Sequence, residues 1–215
     1  VEIPLYALFN DSILGITEAT KVNAQITVDY GDNGQQTKTA TVLVYDRNAL
    51  TWSDDRHAAA FVSKLDPWVQ QLTGNILAAV KSYRNPELDK NLQTAIAIHE
   101  GLGAFGIGYM IATTRPFLQE VVNPEIVDTL KFPRQTLAFR AGDCADLSVL
   151  YASCFEAAGV ETAFITVPGH ILMAIDLGMS RSEALSRGYK DSQFINDGTR
   201  LWLPIETTMR DAGFL

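Results

Sequence analysis

The chain is short of the residues that most often narrow a function. Among 215 residues it has two cysteines, Cys144 and Cys154, and three histidines. Ten positions apart on one expected helix, the thiols would lie about 15 Å apart along its axis, whereas a disulfide needs Cα atoms within roughly 7 Å. Pairing between them is excluded, and with it a disulfide scaffold. Cysteine and histidine at zinc spacing are missing, and "DYGDNG" (29–34) lacks the full calcium-loop pattern and its terminal Glu, so no metal site is expected. Basic charge is also scarce, with 17 Lys and Arg against 25 Asp and Glu and a net charge of −8. That balance argues against a nucleic-acid backbone or an anionic membrane as the main partner. No apolar run is long enough to cross a bilayer and no basic-then-apolar leader is seen, so no membrane insertion is expected. The chain begins with Val rather than Met, which leads us to expect a processed protein or part of a longer chain. There is no internal repeat.

What is present reads as an ordinary globular composition, 47% hydrophobic and 20% charged, in a chain long enough to bury a substantial core. "KVNAQITVDY" (21–30) and "TKTATVLVYD" (37–46) are rich in β-branched residues, with Asn33-Gly34 between them for a tight turn. "VEIPLYALF" before them predicts another strand or an extended lead-in, with Pro4 favouring an edge. Helical spacing begins after Ser53, a candidate N-cap, and resumes after Pro67 and after Pro86. A loop through Pro116, Pro124 and Pro133 leads to a central helix that carries both cysteines. Alternation then returns in "TAFITV" (162–167) and "HILMAID" (170–176). A polar stretch follows, and "FIND" and "RLWLPIE" form a last hairpin. The order predicts an α+β fold, with an N-terminal β-segment or small β-domain over 1–50 and a second domain over 51–215.

The chemistry concentrates in "RAGDCADLSVLYASC". Asp143 or Gly142 can cap the helix start, and Asp146 can reach back to the capping residue. Cys144 then sits in the first turn, where unpaired N–H groups and the helix dipole favour a thiolate, while Asp143 and Asp146 oppose it. A cationic histidine would tip the balance. Cys144 reads as a nucleophile or as a core residue beside Leu147 and Tyr151; Cys154 reads as buried filler. His57 fits a solvated first turn and His99 a packing or capping role. His170 opens a strand after Pro168-Gly169 and reads as a general base on rigid backbone or as a turn histidine. An acid is needed to orient it. Asp176 shares a strand face with His170 but lies about 20 Å away. Glu206, on the expected neighbouring strand, is the better placed, as an orienting acid or as an edge carboxylate. "GLGAFG" (101–106) matches the spacing of a dinucleotide fingerprint, yet a helix precedes it where a strand is required, so no cofactor is expected.

Together, "FPRQTLAFRAGDCADLS", "AFITVPGHILMAID" and "LWLPIETT" resemble the transglutaminase-like superfamily of papain-like cysteine enzymes, in particular bacterial transglutaminase-domain proteins built into longer chains. The resemblance covers residues 130 to 210. It implies a papain-like core, with a cysteine-bearing helix packed on an antiparallel sheet that carries His170 and Glu206. It also implies a Cys144–His170–Glu206 triad acting on a peptide or protein amide, as a peptidase, amidase or transglutaminase, and an extracytoplasmic setting. Two departures stand out. The family's orienting acid is usually Asp, and its histidine is commonly followed by a small residue and Trp, where this chain has Ile171-Leu172-Met173. Gln135 and the backbone N–H of Cys144 are candidate oxyanion donors. On these expectations the helix start and His170 would lower the pKa of Cys144. The alternative is a non-catalytic module that keeps the fold and grips a peptide within a larger protein.

Overall fold

The computed structural model describes residues 8–111 and 126–209. The chain divides into two units, Val1–Ala49 and Leu50–Leu215. In the first unit Asn10 caps a short 3-10 turn at Asp11–Gly15. Strands β1 (Thr20–Asp29) and β2 (Gln35–Val44) then form an antiparallel ribbon, with Val22 opposite Val42 and Ala24 opposite Ala40. The chain reverses through Gly31 and Gly34, both at positive φ (66° and 97°), a conformation that glycine adopts without a Cβ clash. Nearly all ribbon residues are exposed. The strand or lead-in expected over "VEIPLYALF" lies outside the described residues except for its last two positions, which form neither helix nor strand.

The second unit holds the core. After β3 (Ala49–Thr51), the residues from Asp55 to Phe61 form a 3-10 helix capped by Asp54, not by Ser53. Asp54 wins because its carboxylate accepts the Arg56 N–H at 3.0 Å and also holds the Arg56 guanidinium. Ala58 and Phe61, the buried pair, are three apart, which matches a three-residue turn. Helix α1 (Pro67–Ala79) starts with Asp66 as cap and proline at the first helical position, where its missing N–H costs nothing. Helix α2 (Lys90–Ala104) is capped by Asp89 and buries Leu92, Ala95, Ile98 and Leu102 at helical spacing. The "GLGAFG" glycines end this helix and serve packing. A Cβ at Gly101 would stand 2.6 Å from the Ile76 side chain of α1.

Strands β4 (Gly108–Tyr109) and β5 (Val127–Thr129) come next along the described residues. Pro116 and Pro124 of the expected loop lie outside them. Pro133 is not in a loop but opens helix α3 (Pro133–Phe139), again at a helix start. The two-residue strand β6 (Ala141–Gly142) pairs parallel with β4 and delivers the chain to helix α4 (Cys144–Ala157). Strands β7 (Thr162–Val167) and β8 (His170–Asp176) follow as a hairpin, then a short helix α5 (Arg181–Ser186), β9 (Ile195–Asn196) and β10 (Leu201–Ile205). These four strands make one antiparallel sheet in the order β7-β8-β10-β9. Alternate β8 residues Met173 and Ile175 are buried with Leu147, Leu150 and Tyr151 of α4, so the helix lies against the sheet. The architecture is a mixed α+β fold. Among the described residues no helix is long and apolar enough to cross a membrane.

The α1–α2 contact yields a stability test. Gly101→Ala should lower unfolding stability by about 1–3 kcal/mol in urea titrations, because the new methyl must displace Ile76. Adding Ile76→Val should recover part of the loss. An unchanged midpoint for Gly101→Ala would mean that the helices can part without cost.

Candidate active site

The site begins with how α4 starts. Asp143 is its N-cap, in extended backbone, and its Oδ1 accepts the N–H groups of Ala145 and Asp146, each at 3.0 Å. Asp146 Oδ2 accepts the Asp143 N–H in return at 3.3 Å, closing a capping box. The Asp146 side chain is only 1% exposed. Its Oδ1 accepts the Lys131 N–H at 2.8 Å and its Oδ2 pairs with Lys131 Nζ at 2.5 Å. Gly142 makes room for it, since a Cβ there would meet Asp146 Cβ at 2.6 Å. The run Gly-Asp-Cys-Ala-Asp is therefore one local solution: space, cap, first helical residue, and a buried carboxylate that closes the turn. It leaves Cys144 at the first position of α4, half-buried.

Strand β8 meets this helix start at Ile171. The pairing of β10 with β8 ends at Ile205 opposite Met173. Beyond that point the Ile171 carbonyl accepts Ser148 Oγ of α4 at 3.3 Å, and Ser148 Oγ also lies 3.4 Å from Thr207 Oγ1. Cys144 packs against the buried cluster that holds Ile171, and the Ile171 N–H favours the ionised form of its thiol.

His170 is the first residue of β8, and its Nε2 lies 2.7 Å from Glu206 Oε2. The β8–β10 register, carried one step further, sets Glu206 opposite Leu172 and diagonal to His170 on the same face, a separation a long side chain can span. Glu206 Oε1 accepts both the N–H (2.8 Å) and the hydroxyl (2.7 Å) of Thr208. Burial raises the Glu206 pKa, but the Thr208 hydroxyl, the Thr208 N–H and His170 outweigh it, leaving the carboxyl below its ordinary value. Asp176 sits at the far end of β8, where it accepts the Gly178 N–H at 2.8 Å.

The electrostatics of the thiol run against the sequence expectation. Burial pushes the Cys144 pKa up, and the Asp143 charge adds to it. The N–H groups of Ile171, Ala145 and Cys144 itself pull the other way, and the net shift is upward. Desolvating a thiolate costs more here than the helix start returns, so the resting group is a neutral thiol. Asp143 is itself pushed up to about 6, by burial first and then by the charge of Asp146.

The remaining sequence candidates have other work. Buried His99 puts Nδ1 3.1 Å from the Tyr151 hydroxyl, and exposed His57 puts Nδ1 3.0 Å from the Thr51 carbonyl. Gln135 Oε1 accepts the Phe132 N–H at 2.8 Å, a cap for α3. Cys154 is wholly buried and its thiol is pushed up to about 12. Among the described residues no three His, Cys, Asp or Glu side chains are grouped to hold a metal ion. Sequence reasoning missed Thr208, Ser148 and Lys131. The Thr two places after Glu206 was a usable signal, since a hydroxyl at that spacing can bond back to the acid.

These shifts set a pH experiment. Asp143→Asn keeps an oxygen to cap the helix but removes the charge that raises the Cys144 pKa. Alkylation of Cys144, followed by peptide mass spectrometry, should shift to lower pH in this variant. The Asp143 carboxyl is raised in the folded state, so it binds a proton more readily there than in the unfolded chain. Its contribution to stability is greatest below about pH 4 and is lost as pH rises through about 6. Asp143→Asn should therefore flatten that part of the stability profile, and a variant with an unchanged slope would remove Asp143 as the source. Comparison of the chain with models of protein families, with curated proteins and with solved structures gives no match in any of the three.

Proposed function

We propose that this protein is a thiol-dependent acyl-transfer enzyme of transglutaminase-like type, acting on a peptide or protein amide through Cys144, His170 and Glu206. The observation that carries the reading is the 2.7 Å contact between His170 Nε2 and Glu206 Oε2, at the start of a strand whose next residue, Ile171, belongs to the cluster that Cys144 packs against. A carboxylate at Nε2 holds the neutral imidazole with its proton on that nitrogen, which leaves the Nδ1 lone pair to act as base. Glu206 is one methylene longer than the usual Asp, and it stands one residue past the end of β10, where the longer reach is useful.

The chemistry follows from a neutral resting thiol. His170 takes the thiol proton as the sulfur attacks the amide carbonyl, so the thiolate forms only when it is being used. The tetrahedral oxyanion draws on the Cys144 N–H at the start of α4. The His170 imidazolium, its charge balanced by Glu206, then protonates the departing amine and leaves an acyl thioester. Water activated by His170 completes hydrolysis; an amine in its place completes cross-linking. We favour hydrolysis, because nothing in the chain marks a lysine acceptor site. The raised thiol pKa also fits the other reading, a peptide-binding module that keeps the fold without turnover.

Reaction with p-nitrophenyl acetate separates the two. An enzyme should acquire one acetyl group on Cys144 by intact mass and peptide mapping, with a burst of nitrophenolate. His170→Ala should slow acylation by about 10²-fold or more, and Glu206→Gln by about 10–100-fold. Acylation of Cys144 at a rate indifferent to His170→Ala would sink the enzyme reading and leave the binding module.

A further inference from the structure

A second feature lies where α1, the end of α2 and α3 converge. Trp68, Leu72, Phe105, Arg134, Leu137 and Arg140 line a groove of about 620 Å³, within the size range of small-ligand sites. In a chain of net charge −8, the described residues on the walls of this groove include two guanidinium groups and no carboxylate. Trp68 is 61% exposed at its edge although it is a large aromatic residue. Arg134 is held in place, with its Nε 2.9 Å from Asp66 Oδ2, while Asp66 Oδ1 caps α1. That ion pair offsets part of the Arg134 charge.

Arg140 is the informative residue. It ends α3 in the left-handed region, with φ 55°, the one non-glycine at positive φ among the described residues. Its carbonyl accepts the Gly108 N–H at 2.9 Å where the chain turns into β6, so the conformation is imposed by the fold. Glycine would suit that position without the steric cost that an L side chain incurs there. An arginine stands there instead, with its guanidinium stacked 4.9 Å above the Phe105 ring. Among the described residues it pairs with no carboxylate. A strained backbone position that carries a placed, unneutralised cation over an aromatic floor has the form of a recognition group.

We propose that this groove binds an acidic peptide segment, with a carboxylate on Arg140, assisted by Arg134, and a neighbouring aromatic or branched side chain against Trp68, Leu72 and Leu137. A carboxylate is the natural complement of the two guanidiniums, and an apolar neighbour is the complement of the walls. The carboxylate is that of a Glu or Asp side chain within the segment. The inference stands independently of turnover at Cys144.

Fluorescence anisotropy with three labelled peptides tests it. One is an amidated peptide with Glu beside Phe, the second has Gln in place of Glu, and the third is the Gln peptide ending in a free carboxylate. The Glu peptide should bind about tenfold or more tightly than the Gln amide, with the preference fading as salt rises. A preference shown only by the peptide with the free carboxylate would overturn the side-chain assignment. Arg140→Gly should abolish the preference while leaving thermal stability equal or higher, because it relieves the backbone. Trp68→Ala should weaken all three peptides. Equal binding of the Gln amide and both acids, absence of binding by the wild-type protein, or a preference that survives Arg140→Gly would each overturn the proposal.

Discussion

The buried carboxylate of Asp146 holds the candidate site together. It takes a backbone N–H and an ammonium from Lys131 and a third N–H from Asp143, inside a pocket left open by the missing side chain of Gly142. A charge so enclosed is tolerable only when every lone pair has a partner, and losing one partner is expensive. The arrangement therefore fixes three segments relative to each other: the entry to α3, the β6 strand and the first turn of α4. The position of the Cys144 sulfur is a consequence. Moving any of the three would strand the carboxylate before it moved the thiol.

That same device works against the proposed nucleophile. Two carboxylates stand within two residues of Cys144, and both burial and the Asp143 charge favour the protonated thiol. A helix start is worth about 0.3–1 kcal/mol to a negative charge, too little to reverse desolvation. The structural demand for a firm helix start and the chemical demand for an acidic thiol thus pull in opposite directions, and the structural one prevails at rest. The His170–Glu206 pair is what restores the balance in the proposed reaction. Glu206 stays ionised because Thr208 supplies two donors and His170 a third, so a proton accepted by His170 meets a permanent negative charge. Base strength is placed in the pair rather than in the thiol.

Much of this was legible in the sequence, in a way that follows physical range. Strands β7, β8 and β10 announce themselves by alternation, and α1 and α2 by helical spacing after Pro67 and Pro86, because both signals are local, although α2 starts only at Lys90, where Asp89 caps it. The residue types of the site were legible too: a cysteine after Gly-Asp, a histidine at a strand mouth and an acid after an apolar strand. Other features escaped. Helix α5 sits in a polar stretch, where Ser180 caps a turn that buries only Ala184 and offers no periodicity to read. Pairing of β4 with β6 joins two residues across more than thirty positions, and no local pattern encodes it. The ionisation of Cys144 is not legible from the helix start alone, because it depends on burial.

The early end of β10 shows how a site can arise from an incomplete sheet. Had β10 continued two more residues in register, Thr207 would have faced Ile171 and taken over its backbone hydrogen bonds. It stops, and the N–H and C=O of Ile171 have to be satisfied by something else. The first turns of α4 supply Ser148 for the carbonyl, and the N–H favours the ionised form of the Cys144 thiol. The register carried one step past Ile205 still sets Glu206 diagonal to His170, and Thr208, beyond the strand, turns back to brace it. The unpaired step at Ile171 thereby gives the start of α4 its hold on the sheet, while the register gives the acid its reach.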